Sequence, residues 1–380
     1  MKIIIAPDSF KESLTALNVA NAIETGFRKV LPEAEYIKIP MADGGEGTMR
    51  TLVDATGGKV IDQAVTGPLG NCCIASFGLL GDGETAVIEM AKASGIELIG
   101  PEERNPLYTT TLGTGQLIRG ALAMGVKRII VGIGGSATND GGAGMMQALG
   151  VRFLNAAGTE LPVGGGALED LADIDTRLID PRLSQVEFIA ACDVDNPLTG
   201  SNGASVVFGP QKGADSAMIK QLDAALDNYA TVLKRVMGQD VSQVPGAGAA
   251  GGMGAALLAF MKASIKPGID IVMDVVDMKA QCEGADLVIT GEGRIDGQTA
   301  NGKTPVGVAK EAKKAGLPVI AICGSVGEGV EAVYEQGIDA LFPIVHSAVS
   351  LKEAFSSCRK NLEREARNLA TVCKMQILTG

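Results

Sequence analysis

The chain has no tryptophan and a single histidine, His346, among its 380 residues. Aromatics amount to 3%, so the interior must be built from aliphatic side chains. One histidine excludes the usual multi-histidine zinc sites. The seven cysteines form an odd count without a CxxC pair, and only Cys72 and Cys73 are close together. Neighbouring residues of a strand point to opposite faces, so that pair does not read as a bridge, and a reducing compartment is expected. Positive charge is in deficit, with 33 Lys and Arg against 44 Asp and Glu and a net charge of −11. No basic stripe interleaved with aromatics is present, which argues against a nucleic-acid partner. No uncharged apolar run reaches the roughly 18 residues that a membrane-spanning helix needs, so no span is expected. The opening MKIIIAPDSFKES lacks the charged-then-apolar layout and small-residue cleavage site of a secretory signal.

What is plentiful is apolar and glycine residues. Hydrophobic residues make up 46% and glycine contributes 51 positions, most of them clustered after apolar runs. The length exceeds what one core usually organises, so two domains are expected. Residues 3–6 form a short apolar run ending in Pro7-Asp8-Ser9, followed by a helical pattern over 16–30. Residues 34–40 read as a second strand, ending in Asp43-Gly44-Gly45-Glu46-Gly47 before a helix over 48–55. This alternation is the rhythm of a parallel sheet. From 59 to 89, short runs broken by Gly-Pro and Gly-Asp-Gly predict antiparallel hairpins. Strands are expected over 128–133 and 186–191, and helices over 114–124 and 215–236. A Gly-Ala loop from Pro245 opens a further helix reaching about residue 262. After about 280 the α/β rhythm returns, with strands over 287–290, 318–322 and 340–344 and helices over 303–315, 329–336 and 351–372. The expected architecture is α/β with two domains. A discontinuous, doubly wound parallel-sheet domain spans 1–60 plus 280–380, and a mixed α/β domain is inserted at 61–279.

Several predicted strands end in polar, often Gly-rich loops, and in parallel sheets ligands bind beyond such ends. These junctions supply Asp8, Ser9 and Lys11, then Asp43 and Glu46, then the run Gly134-Gly135-Ser136-Ala137-Thr138-Asn139-Asp140. Asp193, Asp195 and Asn196 follow, and finally Glu292, Arg294, Asp296 and Lys303. If they face one crevice between the domains, the inventory suits phosphoryl transfer, which asks for positioning and charge neutralisation more than for covalent chemistry. Carboxylates can hold magnesium, Gly-rich backbone can approach phosphate, and Lys and Arg can offset its charge. Gly297-x4-Gly302-Lys303-Thr304 also satisfies a P-loop pattern. A true P-loop should begin where its strand ends, and this strand is expected to end near Thr290. An anion-binding helix start carrying Lys303 therefore competes with a P-loop and with an ordinary solvated helix start. Asp43–Gly47 could be a metal loop or a tight turn, and Cys192 reads as a packed thiol.

The segments APDSFKESL, MADGGEGT, TGPLG, GTGQLI, GIGGSATNDGGAGM, ACDVDNPL, FGPQKGA, PGAGAAGGMGAAL and TGEGRIDGQTANGK stand in the order of one known family. The chain resembles the type I glycerate kinase family over essentially its full length, and most closely its bacterial glycerate 2-kinases. The resemblance implies ATP-dependent phosphorylation of D-glycerate, usually at the 2-hydroxyl, with Mg2+, in cytoplasmic glycerate or sugar-diacid catabolism. It also implies a flavodoxin-like first domain and a second domain likened to restriction endonucleases. Phosphorylation at the 3-hydroxyl stays open, as do a non-catalytic metabolite sensor, a P-loop NTPase and the oligomeric state. From the chemistry of the side chains, Arg294 or Lys11 would hold the substrate carboxylate, beside Asp8 and Ser9. Gly134, Gly135, Ser136, Thr138, Asn139, Gly302 and Lys303 would hold ATP. Asp43, Glu46 and Glu292 would hold magnesium, and Asp193 or Asp296 would accept the hydroxyl proton.

Overall fold

In a computed structural model of the protein, residues 1–377 are described. The chain forms two compact units. The first comprises Met1–Asp43, Asp54–Thr56 and the chain from Ile269 onward, and the second comprises Gly44–Val53 and Gly57–Gly268.

The first unit is built on a five-stranded sheet in which every pair is parallel. Its spatial order is Ala340–Pro343, Val319–Cys323, Leu287–Gly291, Lys2–Pro7, Glu35–Lys38. Ile3, Ile4 and Ile5 are all fully buried, as expected of a strand covered on both faces. Each such side chain contributes roughly 1.5–3 kcal/mol by leaving water. From Lys2–Pro7 the chain steps one way, to Glu35–Lys38. On re-entering the unit it takes the place on the other side of Lys2–Pro7 and steps outward the opposite way. The sheet order therefore reverses between Lys2–Pro7 and Leu287–Gly291, the kind of position where open parallel sheets bind ligands.

Helix Ala16–Arg28 starts at Thr15, whose hydroxyl accepts from the Asn18 N–H at 3.3 Å. It buries Val19, Ile23 and Phe27 with Leu362, Ala366 and Leu369 of the long helix Leu351–Ile377. The two backbones approach so closely at Gly26 that a Cβ there would lie 2.5 Å from that of Ala366. The helix expected over 329–336 shrinks to Ala332–Glu335. The preceding residues are instead drawn into pairing with a distant segment, Gly327 N–H donating to the Ile295 carbonyl at 2.8 Å and Gly297 N–H to that of Glu328 at 2.9 Å.

The second unit carries a six-stranded mixed sheet, ordered Ser264–Lys266, Glu187–Ala191, Arg128–Gly132, Thr85–Glu89, Cys72–Leu79, Lys59–Thr66. The last three strands pair antiparallel, while the first four are mutually parallel. Its core is aliphatic with a few aromatics, Phe77, Phe153, Phe188 and Tyr229 among them. Helix Ser216–Met237 is capped by Asp215, which accepts from the N–H groups of Ala217 and Met218. No helix among the described residues is long and apolar enough to cross a membrane.

Candidate functional site

At the order reversal of the first unit, a cavity of about 660 Å³ opens beyond the strand ends. The first strand delivers Asp8, whose N–H extends the ladder by donating to the Gly291 carbonyl at 2.8 Å. Its Oδ1 accepts from the Ser9 N–H at 2.6 Å and its Oδ2 from the Thr304 hydroxyl at 2.7 Å. Burial pushes the Asp8 carboxyl up to about 6, against the Thr304 hydrogen bond and with help from the Asp43 charge. The neighbouring strand delivers Glu292, whose Oε1 accepts from the Thr299 hydroxyl at 2.6 Å. Burial raises Glu292 to about 7; Thr299 and Lys303 oppose this, and Asp8 and Asp296 add to it. Two desolvated carboxyls thus face one cavity with Asp43, and Lys11, Arg294 and Lys303 line the same space. The lining also includes the apolar side chains of Val349, Leu351 and Phe355.

The P-loop reading is not met. The strand ends at Gly291, and the short strand Arg294–Ile295 intervenes before Gly297. Lys303 instead precedes helix Thr304–Lys314 as its N-cap, with Pro305 in the first turn. Thr304, which would meet a cation in a P-loop, spends its hydroxyl on Asp8. Gly302 adopts φ 96° just before the helix and is not part of the cavity wall. Asp296 is also outside that wall. Its Oδ2 lies 3.3 Å from Arg294 Nε and its Oδ1 accepts from the Gln298 N–H at 3.0 Å, so this carboxylate is engaged locally.

In the second unit, a smaller cavity of about 250 Å³ is lined by Gly134, Gly135, Ser136, Asp193, Lys212 and Ala250, among others. Asp193, which follows strand Glu187–Ala191, is exposed and accepts from the Gly268 N–H at 2.9 Å. Thr138 and Asn139 are fully buried and do not line the cavity. The Thr138 carbonyl accepts from Lys212, and Asn139 donates to the Ser205 hydroxyl at 2.9 Å, so both support the loop from beneath. Asp140 is buried in the same loop and accepts from Thr111, Gly142 and Gly144, which holds the turn. Gly251, at φ 66°, packs so closely on this loop that a Cβ would lie 2.0 Å from the Thr138 carbonyl. Glu46 belongs to the second unit, where Lys92 Nζ lies 3.4 Å from its carboxylate, and it is not among the residues that line the cavity of Asp43 and Glu292.

Lys212 is absent from the residues that sequence reasoning selects. It is 2% exposed, and its Nζ donates to Ser136 Oγ at 2.8 Å and to the Thr138 carbonyl at 2.7 Å. Burial drives its ammonium down to about 7, opposed by the Asp140 charge. A lone lysine inside the otherwise uncharged run Phe208-Gly209-Pro210-Gln211-Lys212-Gly213 is the signal that could have marked it.

Among the described residues, no group of three or more His, Cys, Asp or Glu forms a ready metal cage. The oxygen donors of Asp8, Asp43 and Glu292, which line one cavity, are nevertheless of the chemical kind that a magnesium ion takes. Such an ion usually takes one or two carboxylates and completes its shell with phosphate oxygens and water. Asp8 and Glu292 are raised first by burial and further by neighbouring carboxylates, Asp43 for the one and Asp8 and Asp296 for the other, a cost that a cation would relieve.

The model of the glycerate kinase family matches residues 3–374 of the chain. A protein named glycerate kinase from Bacillus subtilis (strain 168) is 57% identical, over 99% of this chain and 98% of its own. One named glycerate 2-kinase from Escherichia coli (strain K12) is 55% identical, over 97% of each chain. A crystal structure of a protein provisionally described as glycerate kinase 2, from Salmonella typhimurium LT2, is 53% identical and superposes with a TM-score of 0.93. That superposition covers 100% of this chain and 99% of the other.

Proposed function

Because the chain belongs to the glycerate kinase family, we propose that it transfers the γ-phosphoryl group of ATP to the 2-hydroxyl of D-glycerate, giving 2-phospho-D-glycerate and ADP. The relative named glycerate 2-kinase, 55% identical, supports the 2-position over the 3-position. The observation that carries the chemistry is the half-buried carboxyl pair Asp8 and Glu292, set beside Lys303 and Arg294 where the first sheet reverses its order. The order of that sheet, counted within its own unit, is 2-1-3-4-5, which supports the flavodoxin-like description.

In this reading the first unit's cavity takes the nucleotide. Lys303 and the helix start behind it neutralise phosphate charge, with Lys11 and Arg294 adding to it. Asp8, Asp43 and Glu292 would hold a magnesium ion, which when bound offsets the negative charge of the phosphates. Phe355, Leu351 and Val349 offer an apolar surface for the base. The second unit's cavity takes the acceptor. Asp193 accepts the proton of the attacking hydroxyl, and Gly134, Gly135 and Ser136 serve the acceptor's oxyanion. Asp296 supports Arg294 and is not the base.

Incubation with MgATP and D-glycerate, followed by phosphorus NMR of the product, tests this. A 2-phosphoglycerate signal is expected. A 3-phosphoglycerate signal moves the transfer to the other hydroxyl, and ADP formed without any phosphoglycerate sinks the kinase reading.

A further inference from the structure

The second unit's cavity contains an arrangement that phosphoryl chemistry alone does not require. Among the described residues, Asp193 and Lys212 are the only charged side chains on its wall, one an acceptor and the other a donor. Lys212 is a buried cation held in place by Ser136 and by the Thr138 carbonyl, and an ammonium has three donors. A buried ammonium without a closely paired anion is costly unless an anion arrives to compensate it. Asp140, whose charge acts on this ammonium, already holds Thr111, Gly142 and Gly144 with its carboxylate. The cavity volume of about 250 Å³ suits a three-carbon acid rather than a nucleotide.

Resting on the acceptor-site reading above, we propose that Lys212 binds the carboxylate of the acceptor and so makes the protein specific for a hydroxy acid over a neutral polyol. The carboxylate meets Lys212 Nζ, and a hydroxyl of the same small molecule meets Asp193. The opposite ends of one bound acid thus match the opposite charges of the wall. Arg294 and Lys11, which line the first unit's cavity, are released from the carboxylate-binding role. Lys212 is a binding and specificity residue, and no bond forms or breaks at it.

The test compares the wild type, Lys212→Met and Ser136→Ala with three acceptors: D-glycerate, its uncharged amide glyceramide, and glycerol. Steady-state rates are measured with saturating MgATP, and D-glycerate binding is measured by calorimetry without nucleotide. Lys212→Met is expected to raise KM for D-glycerate about 10- to 100-fold, the loss of one charge-assisted contact. KM for ATP should stay within about twofold, and the preference for D-glycerate over glyceramide should collapse. An unchanged D-glycerate KM, or an equal loss with glyceramide, overturns the proposal, since a purely structural lysine would treat both acceptors alike. If circular dichroism shows that Lys212→Met does not fold, Ser136→Ala decides. It keeps the charge but removes one partner of Nζ, and a loss of about three- to tenfold confined to D-glycerate is expected. Loss shared equally by both acceptors overturns the idea. Calorimetry separates this proposal from its parent. Lys212-dependent binding of D-glycerate without turnover would retain the site and sink the kinase reading. A wild type that binds no D-glycerate sinks the site.

Discussion

At the scale of single residues, the raised acids of the first unit trade stability against function. Asp8 stands at about 6 against an ordinary 3.8, and Glu292 at about 7 against 4.5. Because the folded values are raised, the stability these groups contribute is complete below about pH 4 and is lost as pH rises through about 6 to 7. Asp8→Asn and Glu292→Gln remove that loss. At pH 8 the ligand-free variants should melt about 2–4 °C above the wild type, matching about 1 kcal/mol. Their turnover should fall about 100-fold or more, since charge aimed at the transferring group is gone. Thermal melts across pH 4 to 9 check the first point, and variants that melt lower at pH 8 would contradict it. In the second unit, Asp193→Asn should lower kcat by about 100- to 10,000-fold while leaving the melting temperature unchanged. Near-normal turnover would remove Asp193 from the mechanism. Lys212 adds a pH dependence in substrate binding rather than in stability. Burial holds its ammonium down to about 7, opposed by the Asp140 charge, and Asp193 lines the same cavity, so KM for D-glycerate should climb as pH rises above that value. A flat KM profile from pH 6 to 9 would contradict it.

At the scale of elements, most strands and helices were legible because their signal is local. Buried parallel strands appear as unbroken apolar runs, as in Ile3-Ile4-Ile5 and Leu287-Val288-Ile289. Helix Ser216–Met237 shows its face and its Asp215 cap in the sequence itself. The helix expected over 329–336 is only Ala332–Glu335, because the chain leaves its pairing of Gly327 and Glu328 with 295–297 through a turn over 329–331 before helical bonding begins. The apparent P-loop shows the same limit from the other side. Spacing places Gly297, Gly302 and Lys303 in a familiar order, but the intervening Arg294–Ile295 strand gives that order a different backbone path. Close contacts of helices were not legible either. Nothing in the sequence near Gly26 foretells Ala366, yet the structure leaves no room for a Cβ there. Gly26→Ala should therefore cost about 1–3 kcal/mol in urea denaturation, with kcat and KM little changed in the folded fraction. A neutral or stabilising result would mean that the two helices separate easily.

At the scale of the whole molecule, ligand linkage reports on the first unit's cavity without turnover. ATP at about 100 times its Kd should add about 2.7 kcal/mol to stability. Chelation of divalent cations should reduce that increment in the wild type. In Glu292→Gln the magnesium-dependent share should be largely absent, and a full magnesium-dependent shift in that variant would remove Glu292 from the cation site. The sequence by itself determined the α/β class, the switch to antiparallel strands after residue 59, the family, and the charged strand ends that could take part in chemistry. These depend on local periodicity, turn chemistry and the order of motifs along the chain. Only the tertiary structure decided which polar residues reach a cavity. It buried Thr138 and Asn139 away from the cavity wall, tied Asp296 to Arg294, set Glu46 beside Lys92 and uncovered Lys212. Burial and partnership are set by residues far away in the chain, and they decide whether a side chain is free to meet a ligand or is spent on holding the fold.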